Sequence, residues 1–321
     1  MCSSNLPTPA ADPAEDEGPE NYFTALGPYA GGTTGHVTGF QPDFVWTKRT
    51  TDDQSYGLWD STRGTTKILN SDENNAEATS SGLTAFNSDG YDMGTYYNQS
   101  GDSYISWSWK ANGGTTSSGS GDKTISHGLS AAPDCILAKN LDTTYNWDTY
   151  WSSGVSSGYG LRLNTKDAEL SGRWGTVNSS IFTVTDNYTW VGTNNYIYYC
   201  FANAEGYIKV GSYEGNADND GVFIYTGFRP AFILIKSVDA SRHWGIHDNK
   251  RSPYNVSINQ LDPDAGYAAY DSTGRARDFL SNGFKLRSSG NDNNGSGSTY
   301  IYACFAEAPL VNSEGVPCNA R

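Results

Sequence analysis

Charge is scarce in this chain: 17% of its 321 residues are Asp, Glu, Lys or Arg, and only four are histidine. Long apolar runs are missing as well. None approaches the roughly 18 residues of a bilayer span, which argues against membrane insertion. The first 20 residues lack the basic and apolar regions of a signal peptide, so export by the general secretory route is not expected. Five cysteines (Cys2, Cys135, Cys200, Cys304 and Cys318) form an odd set without CxxC spacing, which argues against a disulfide framework. No Lys or Arg precedes Lys48, whereas Asp12, Glu15, Asp16, Glu17 and Glu20 crowd the opening segment. Residues 1–21 therefore read as a flexible acidic arm. With a net charge of −14 and no basic cluster, the chain has no surface suited to nucleic acid.

Present in excess are 36 Gly and 22 Tyr, with 9 Trp and many Ser, Thr and Asn, a composition typical of all-β proteins. The order of landmarks is repetitive. Three times a proline is followed six residues later by a lysine: Pro42 to Lys48, Pro133 to Lys139, Pro230 to Lys236. Eight residues after each lysine stands a large aromatic, Tyr56, Trp147 or Trp244. Each unit closes on an aromatic strand, Tyr104–Trp109, Tyr196–Phe201 or Tyr300–Phe305. The spacing divides the chain into repeats at residues 22–111, 112–206 and 207–309, followed by a tail at 310–321.

Alternation in the closing strands puts Ile105, Trp107 and Trp109 on one face and Tyr104, Ser106 and Ser108 on the other. The same phase turns Ile197, Tyr199 and Phe201, then Ile301, Ala303 and Phe305, to the first face. Cys200 and Cys304 fall on the second and read as small packing residues. Fully apolar runs after each proline (Phe44–Trp46, Cys135–Leu137, Phe232–Ile235) suit strands covered on both faces. Asn87-Ser-Asp-Gly90 and Ser281-Asn-Gly283 are turn signals, and Thr185-Asp-Asn187 stands in that place in repeat 2. Three β-sandwich-like repeats in series are expected, with one closed pseudo-threefold β architecture as the alternative.

Chemistry-bearing patterns are weak. His243 and His247 stand four apart without a third ligand, so no metal site is expected. Asp218-Asn-Asp-Gly221 and Asn291-Asp-Asn-Asn294 resemble fragments of calcium loops without the closing glutamate, and polar turns are the simpler reading. No cofactor is expected beyond that weak calcium signal. The serine pattern Gly119-Ser-Gly121 lies in a low-complexity linker, which is not a nucleophile elbow. The chain reads as non-enzymatic, a polysaccharide-degrading activity being the alternative. Tyr56, Trp147 and Trp244 recur at one position and are assigned to packing. The aromatics outside the shared framework, namely Tyr96, Tyr97, Trp151, Trp174 and Trp190, are the candidate ligand contacts. Trp151 stands where the other repeats have Asp60 and Asp248.

Several stretches resemble one family. Gly39-Phe-Gln-Pro-Asp-Phe-Val-Trp46, Asp60-Ser-Thr-Arg-Gly64, Phe86-Asn-Ser-Asp-Gly90 and Tyr104-Ile-Ser-Trp107 are similar to an uncharacterised group of tandem-repeat structural proteins of marine tailed bacteriophages, labelled tail fibre or head-associated. Cys200–Tyr207, Tyr225–Phe232, Asp278–Arg287 and Thr299–Pro309 are similar to its later portion, and Gly315–Arg321 to its tail. The resemblance implies a virion structural protein assembled in the host cytoplasm: a short fibre, capsid decoration or adhesive for host attachment. Its partners would be other virion proteins and host-surface polysaccharide, bound through aromatic patches. A homo-oligomer fits the exposed strand edges of single β domains. A decoration protein that stabilises the capsid without binding the host is the alternative within that class.

Overall fold

A computed structural model of the chain describes residues 21–111, 115–117, 123–185 and 193–306. The acidic arm up to residue 20, the tail and Trp190 lie outside the described residues. Each repeat builds a larger sheet in which an opening strand, the closing strand, the proline strand and a return strand lie side by side in that order. In repeat 1 these are Phe23–Ala30, Ser103–Trp109, Phe44–Arg49 and Gly57–Asp60. Repeat 3 uses Ile208–Glu214, Thr299–Ala306, Pro230–Ser237 and Gly245–Asp248. Repeat 2 uses Thr115–Ser117, Tyr196–Phe201, Cys135–Asn140 and Asp148–Trp151, and adds Leu161–Arg162 at the edge. A three-stranded outer sheet covers one face of each. These are Gly35–Val37, Gly90–Met93 and Leu83–Asn87, then Lys123–Ser126, Ile181–Val184 and Trp174–Val177, then Phe223–Tyr225, Gly283–Leu286 and Arg277–Leu280, each in sheet order.

The alternation expected of the closing strands is observed, and it separates two kinds of core. Side chains on the second face, such as Tyr198 with Cys200 and Tyr302 with Cys304, pack against the outer sheet of their own repeat. Those on the first face enter one cluster shared by all three repeats. It joins Ile105, Trp107 and Trp109 to Ile197, Tyr199, Ile301, Ala303 and Phe305, with Phe44, Trp46, Leu137, Phe232 and Leu234 from the proline strands. Rings from different repeats touch there: Phe44 and Tyr199 stack at 4.4 Å, Phe23 and Phe305 at 5.2 Å, and Trp107 meets Phe232 edge-on at 5.3 Å. The proline strands are apolar on both faces because each divides the shared core from a private one.

Three seams close the ring, and the lysine motif makes them. The buried ammonium of Lys139 in repeat 2 donates to the carbonyl of Asn74 in repeat 1, that of Lys236 in repeat 3 to Lys166 in repeat 2, and that of Lys48 in repeat 1 to Gly266 in repeat 3. Three residues after each acceptor, a backbone N–H bonds back to the donor repeat: Glu77 to Leu141, Glu169 to Val238, Ala269 to Thr50. The aromatic that follows each lysine fills the seam. Trp147 Nε1 donates to Asn70 O at 2.8 Å and Trp244 Nε1 to Arg162 O at 2.9 Å, whereas the buried hydroxyl of Tyr56 has no partner. The two architectures that the sequence left open are therefore both present: three two-sheet repeats, closed on a common core.

One turn is reassigned. The outer-sheet hairpin of repeat 2 turns at Asn178, whose N–H bonds Ile181 O and whose Oδ1 caps the N–H groups of Ser180 and Ile181. Of the sequence signal Thr185-Asp-Asn187, Thr185 follows the strand Ile181–Val184, and the other two residues lie outside the described residues. Gly90 and Gly283 also serve differently than expected. Each opens the returning strand, where an added Cβ would sit 1.9 Å from His36 O or 2.0 Å from Ile224 O. Close approach of the neighbouring strand, not turn conformation, demands glycine there.

Candidate functional site

Most of the sequence-predicted contact residues lie inside. Tyr97 is buried, its hydroxyl near the carbonyls of Ser55 and Tyr56 at 3.2 and 3.3 Å. Trp151 is buried in the shared core beside Trp244, and its Nε1 donates to Thr149 Oγ1. Trp174 is buried in the private core of repeat 2 and donates to Thr149 O. Of the described candidates only Tyr96 is exposed. The framework-versus-insertion criterion failed because departures from the repeat pattern compensate inside the core as often as they decorate the surface. Trp151 shows this. It opposes Cys135 at the register position where Asp60 opposes Phe44 and Asp248 opposes Phe232. Those two aspartates are held by arginines three residues on, Arg63 and Arg251, in a turn that repeat 2 lacks.

The two calcium-like stretches meet in space. The Asn294 side-chain amide lies 3.0 Å from Asn216 Oδ1, 2.9 Å from Asp218 O and 2.8 Å from Ser288 O. An N–H donor thus takes the oxygens a cation would need, while Asp220 pairs with Lys285 and Arg287, and Asp292 with Arg275. Calcium has no coordination shell left to fill here. Replacing Asn294 by Ala should cost about 2–4 kcal/mol in a denaturant titration, because several buried groups lose their partners at once. Added calcium should leave the midpoint of the wild-type chain unchanged.

The two histidines do not share a site. His243 Nδ1 bonds Asp264 Oδ2 at 2.8 Å, which raises its pKa, and Asp264 Oδ1 also accepts the Trp244 N–H. His247 points into the repeat 3 interior. Among the described residues no three His, Cys, Asp or Glu gather as metal ligands. Asp148, pushed up to about 7 by burial, lies 3.5 Å from Arg173 and 3.9 Å from Arg162 and is 2% exposed, so no substrate reaches it.

The outer faces distinguish the repeats. At the centre of each outer edge strand one residue turns inward: His36, Ile125 or Ile224. Its two neighbours face solvent. They are Gly35 and Val37 in repeat 1, Thr124 and Ser126 in repeat 2, and Phe223 and Tyr225 in repeat 3. The two rings are 43% and 64% exposed, which leaves a large part of each free for contact. Register sets their surroundings. Phe223 opposes Lys285, which opposes Asp278, and Tyr225 opposes Gly283, which opposes Leu280. Gly283 leaves room for the Phe223 ring, whose Cε2 lies 3.1 Å from where a Cβ would stand. Lys285 bonds Asp220 at 2.8 Å, and Arg287 bridges Asp220 and Asp278, placing charged donors and acceptors beside the rings. Sequence reasoning missed this pair. The available signal was their i, i+2 spacing about a buried Ile224 on a short strand.

The family described as "Domain of unknown function (DUF7483)" matches residues 18–124 and again residues 115–309. The chain belongs to this family. Together the two DUF7483 matches run through all three repeats, the first over repeat 1 and the second over repeats 2 and 3. No curated protein and no solved structure matches the chain. Among the described residues no helix is long and apolar enough to cross a membrane.

Proposed function

We propose that this protein is a non-enzymatic structural component of the outer surface of a phage particle, and that the outer face of repeat 3 is its adhesive surface for host polysaccharide. The observation that carries this reading is the exposed Phe223 and Tyr225 pair at positions occupied by Gly, Val, Thr and Ser in the other repeats. Exposed rings flanked by Lys285, Asp220 and Arg287 offer stacking surfaces for sugar faces and hydrogen-bonding groups for hydroxyls. The closed ring supports the reading too, because a preorganised scaffold spends little entropy in presenting them. Free Cys135 and Cys304, buried, and the half-buried Cys200, all with thiol pKa raised by desolvation, suit a chain that folds in a reducing cytoplasm before particle assembly.

The test has two parts. Imaging of intact particles should place this chain on the exterior, and its absence from the particle would sink the virion reading. Binding of the purified chain to host-surface polysaccharide should weaken at least roughly 30-fold in the Phe223→Ala, Tyr225→Ala double variant, as expected for loss of a hot-spot pair. Unchanged affinity in that variant would exclude this face, and release of reducing ends from the polysaccharide would establish an enzyme instead.

A further inference from the structure

Inside repeat 3 a buried basic pair stands where the other repeats pack apolar side chains. On the return strands, Trp59, Tyr150 and His247 hold the same register position, opposite Val45, Ile136 and Ile233. On the outer sheets, Leu83, Trp174 and Arg277 correspond, opposite Met93, Val184 and Leu286. In repeat 1 the pair is Trp59 with Leu83, in one apolar cluster, and in repeat 2 it is Tyr150 against Trp174 at 5.8 Å. In repeat 3 it is His247 and Arg277, with 0% and 1% of their surfaces exposed.

Among the described residues no carboxylate forms an ion pair with the guanidinium. Its Nε and Nη2 donate to the Arg275 carbonyl at 3.3 and 2.9 Å, and Nη1 has no partner. The nearby acids pair with other arginines: Asp248 with Arg251, Asp262 with Arg275, and Asp278 through Oδ2 with Arg287, while Asp278 Oδ1 is buried without a partner. Burial keeps the Tyr213 hydroxyl and the Cys304 thiol protonated, so neither supplies an anion. Two other buried polar side chains without partners stand close by along the backbone. Ser257 lies directly across from Arg277, the two exchanging backbone bonds of 2.8 and 3.0 Å, and its hydroxyl is buried without a partner. Asn249, two residues beyond His247 and 4% exposed, has a partnerless amide, and the His247 ring faces the Asn259 backbone without a full hydrogen bond.

We propose that the interior of repeat 3 holds a small inorganic anion of halide size, bound by Arg277 Nη1 with His247, Ser257 and Asn249 as further donors. Arginine does not give up its proton in proteins, and an uncompensated buried charge costs several kcal/mol, so a counter-ion is the economical solution. Burial of all four side chains restricts the occupant to one of atomic size. In repeat 1 the same position needs no ion because Leu83 is neutral.

The test compares thermal unfolding of the full chain in sodium bromide and in sodium gluconate at one ionic strength, gluconate being too bulky to enter. Bromide should raise the midpoint saturably, by about 2–4 °C, through binding to the native state alone. Arg277→Leu, which installs the residue of repeat 1, should remove that response. Crystals soaked in bromide should show an anomalous peak beside Nη1 of Arg277, a readout that does not depend on the variant folding. Equal midpoints in the two salts, a bromide response that survives Arg277→Leu, or no anomalous peak would each overturn the proposal and leave water as the occupant.

Discussion

Trp244→Ala is expected to destabilise the chain by about 3–5 kcal/mol in a denaturant titration, the usual range for truncating a fully buried tryptophan. The side chain is 0% exposed, packs against Trp151 and donates from Nε1 to Arg162 O of repeat 2. Truncation thus opens a cavity and leaves a buried carbonyl without its donor across a seam. Trp147→Ala should behave alike, since its Nε1 bonds Asn70 O across the preceding seam. Tyr56→Phe gives the contrast: its hydroxyl is buried without a partner, so its removal should be neutral or slightly stabilising. A cost below about 1 kcal/mol for Trp244→Ala would mean that the seams do not hold the ring.

The three seam lysines are also expected to contribute stability that rises with pH between about 8 and 9.5. Burial lowers the pKa of Lys48, Lys139 and Lys236 to about 8 each, against roughly 10.4 in an unfolded chain. Between those values the unfolded chain binds more protons than the folded one, so raising the pH favours folding, by about 1–2 kcal/mol per lysine. Below about 8 both states are protonated and this slope vanishes. Thiols and tyrosines act in the opposite sense, because burial holds Cys135, Cys200, Cys304, Tyr91 and Tyr199 protonated in the fold while unfolded thiols ionise near 8.5 and tyrosines near 10. Denaturant titrations of the wild-type chain and Lys139→Met at pH 7.5, 8.5 and 9.5 isolate one lysine, and the stability of the wild type relative to the variant should rise by about 1–2 kcal/mol across that range. A difference between the two chains that stays constant with pH would show that the carbonyl contacts hold the Lys139 ammonium at its ordinary pKa.

The repeats, their closing strands and the two-faced proline strands were legible in the sequence because each depends on local alternation and on residue type. The candidate site was not. Tyr97, Trp151 and Trp174 deviate from the repeat pattern as an exposed contact would, yet each fills its own repeat or the shared core. Phe223 and Tyr225 look like ordinary strand residues until the fold shows that the strand Phe223–Tyr225 is an outer edge with one face in solvent. Asn294 reads as one more polar turn residue until its amide is seen between Asn216, Asp218 and Ser288.

The lysine six residues after each proline marks the division between the two levels. Its recurrence, with the aromatic eight residues on, was fixed by the amino-acid sequence and established three equivalent units. Its purpose was decided only by tertiary structure, since the carbonyls of Asn74, Lys166 and Gly266 belong in each case to a different repeat from the lysine that reaches them. Alternation reports which face of a strand is covered, and a periodic pattern reports how many units there are. Neither records which unit covers the face, because that depends on contacts between segments far apart in the chain, and in this protein those contacts close the ring.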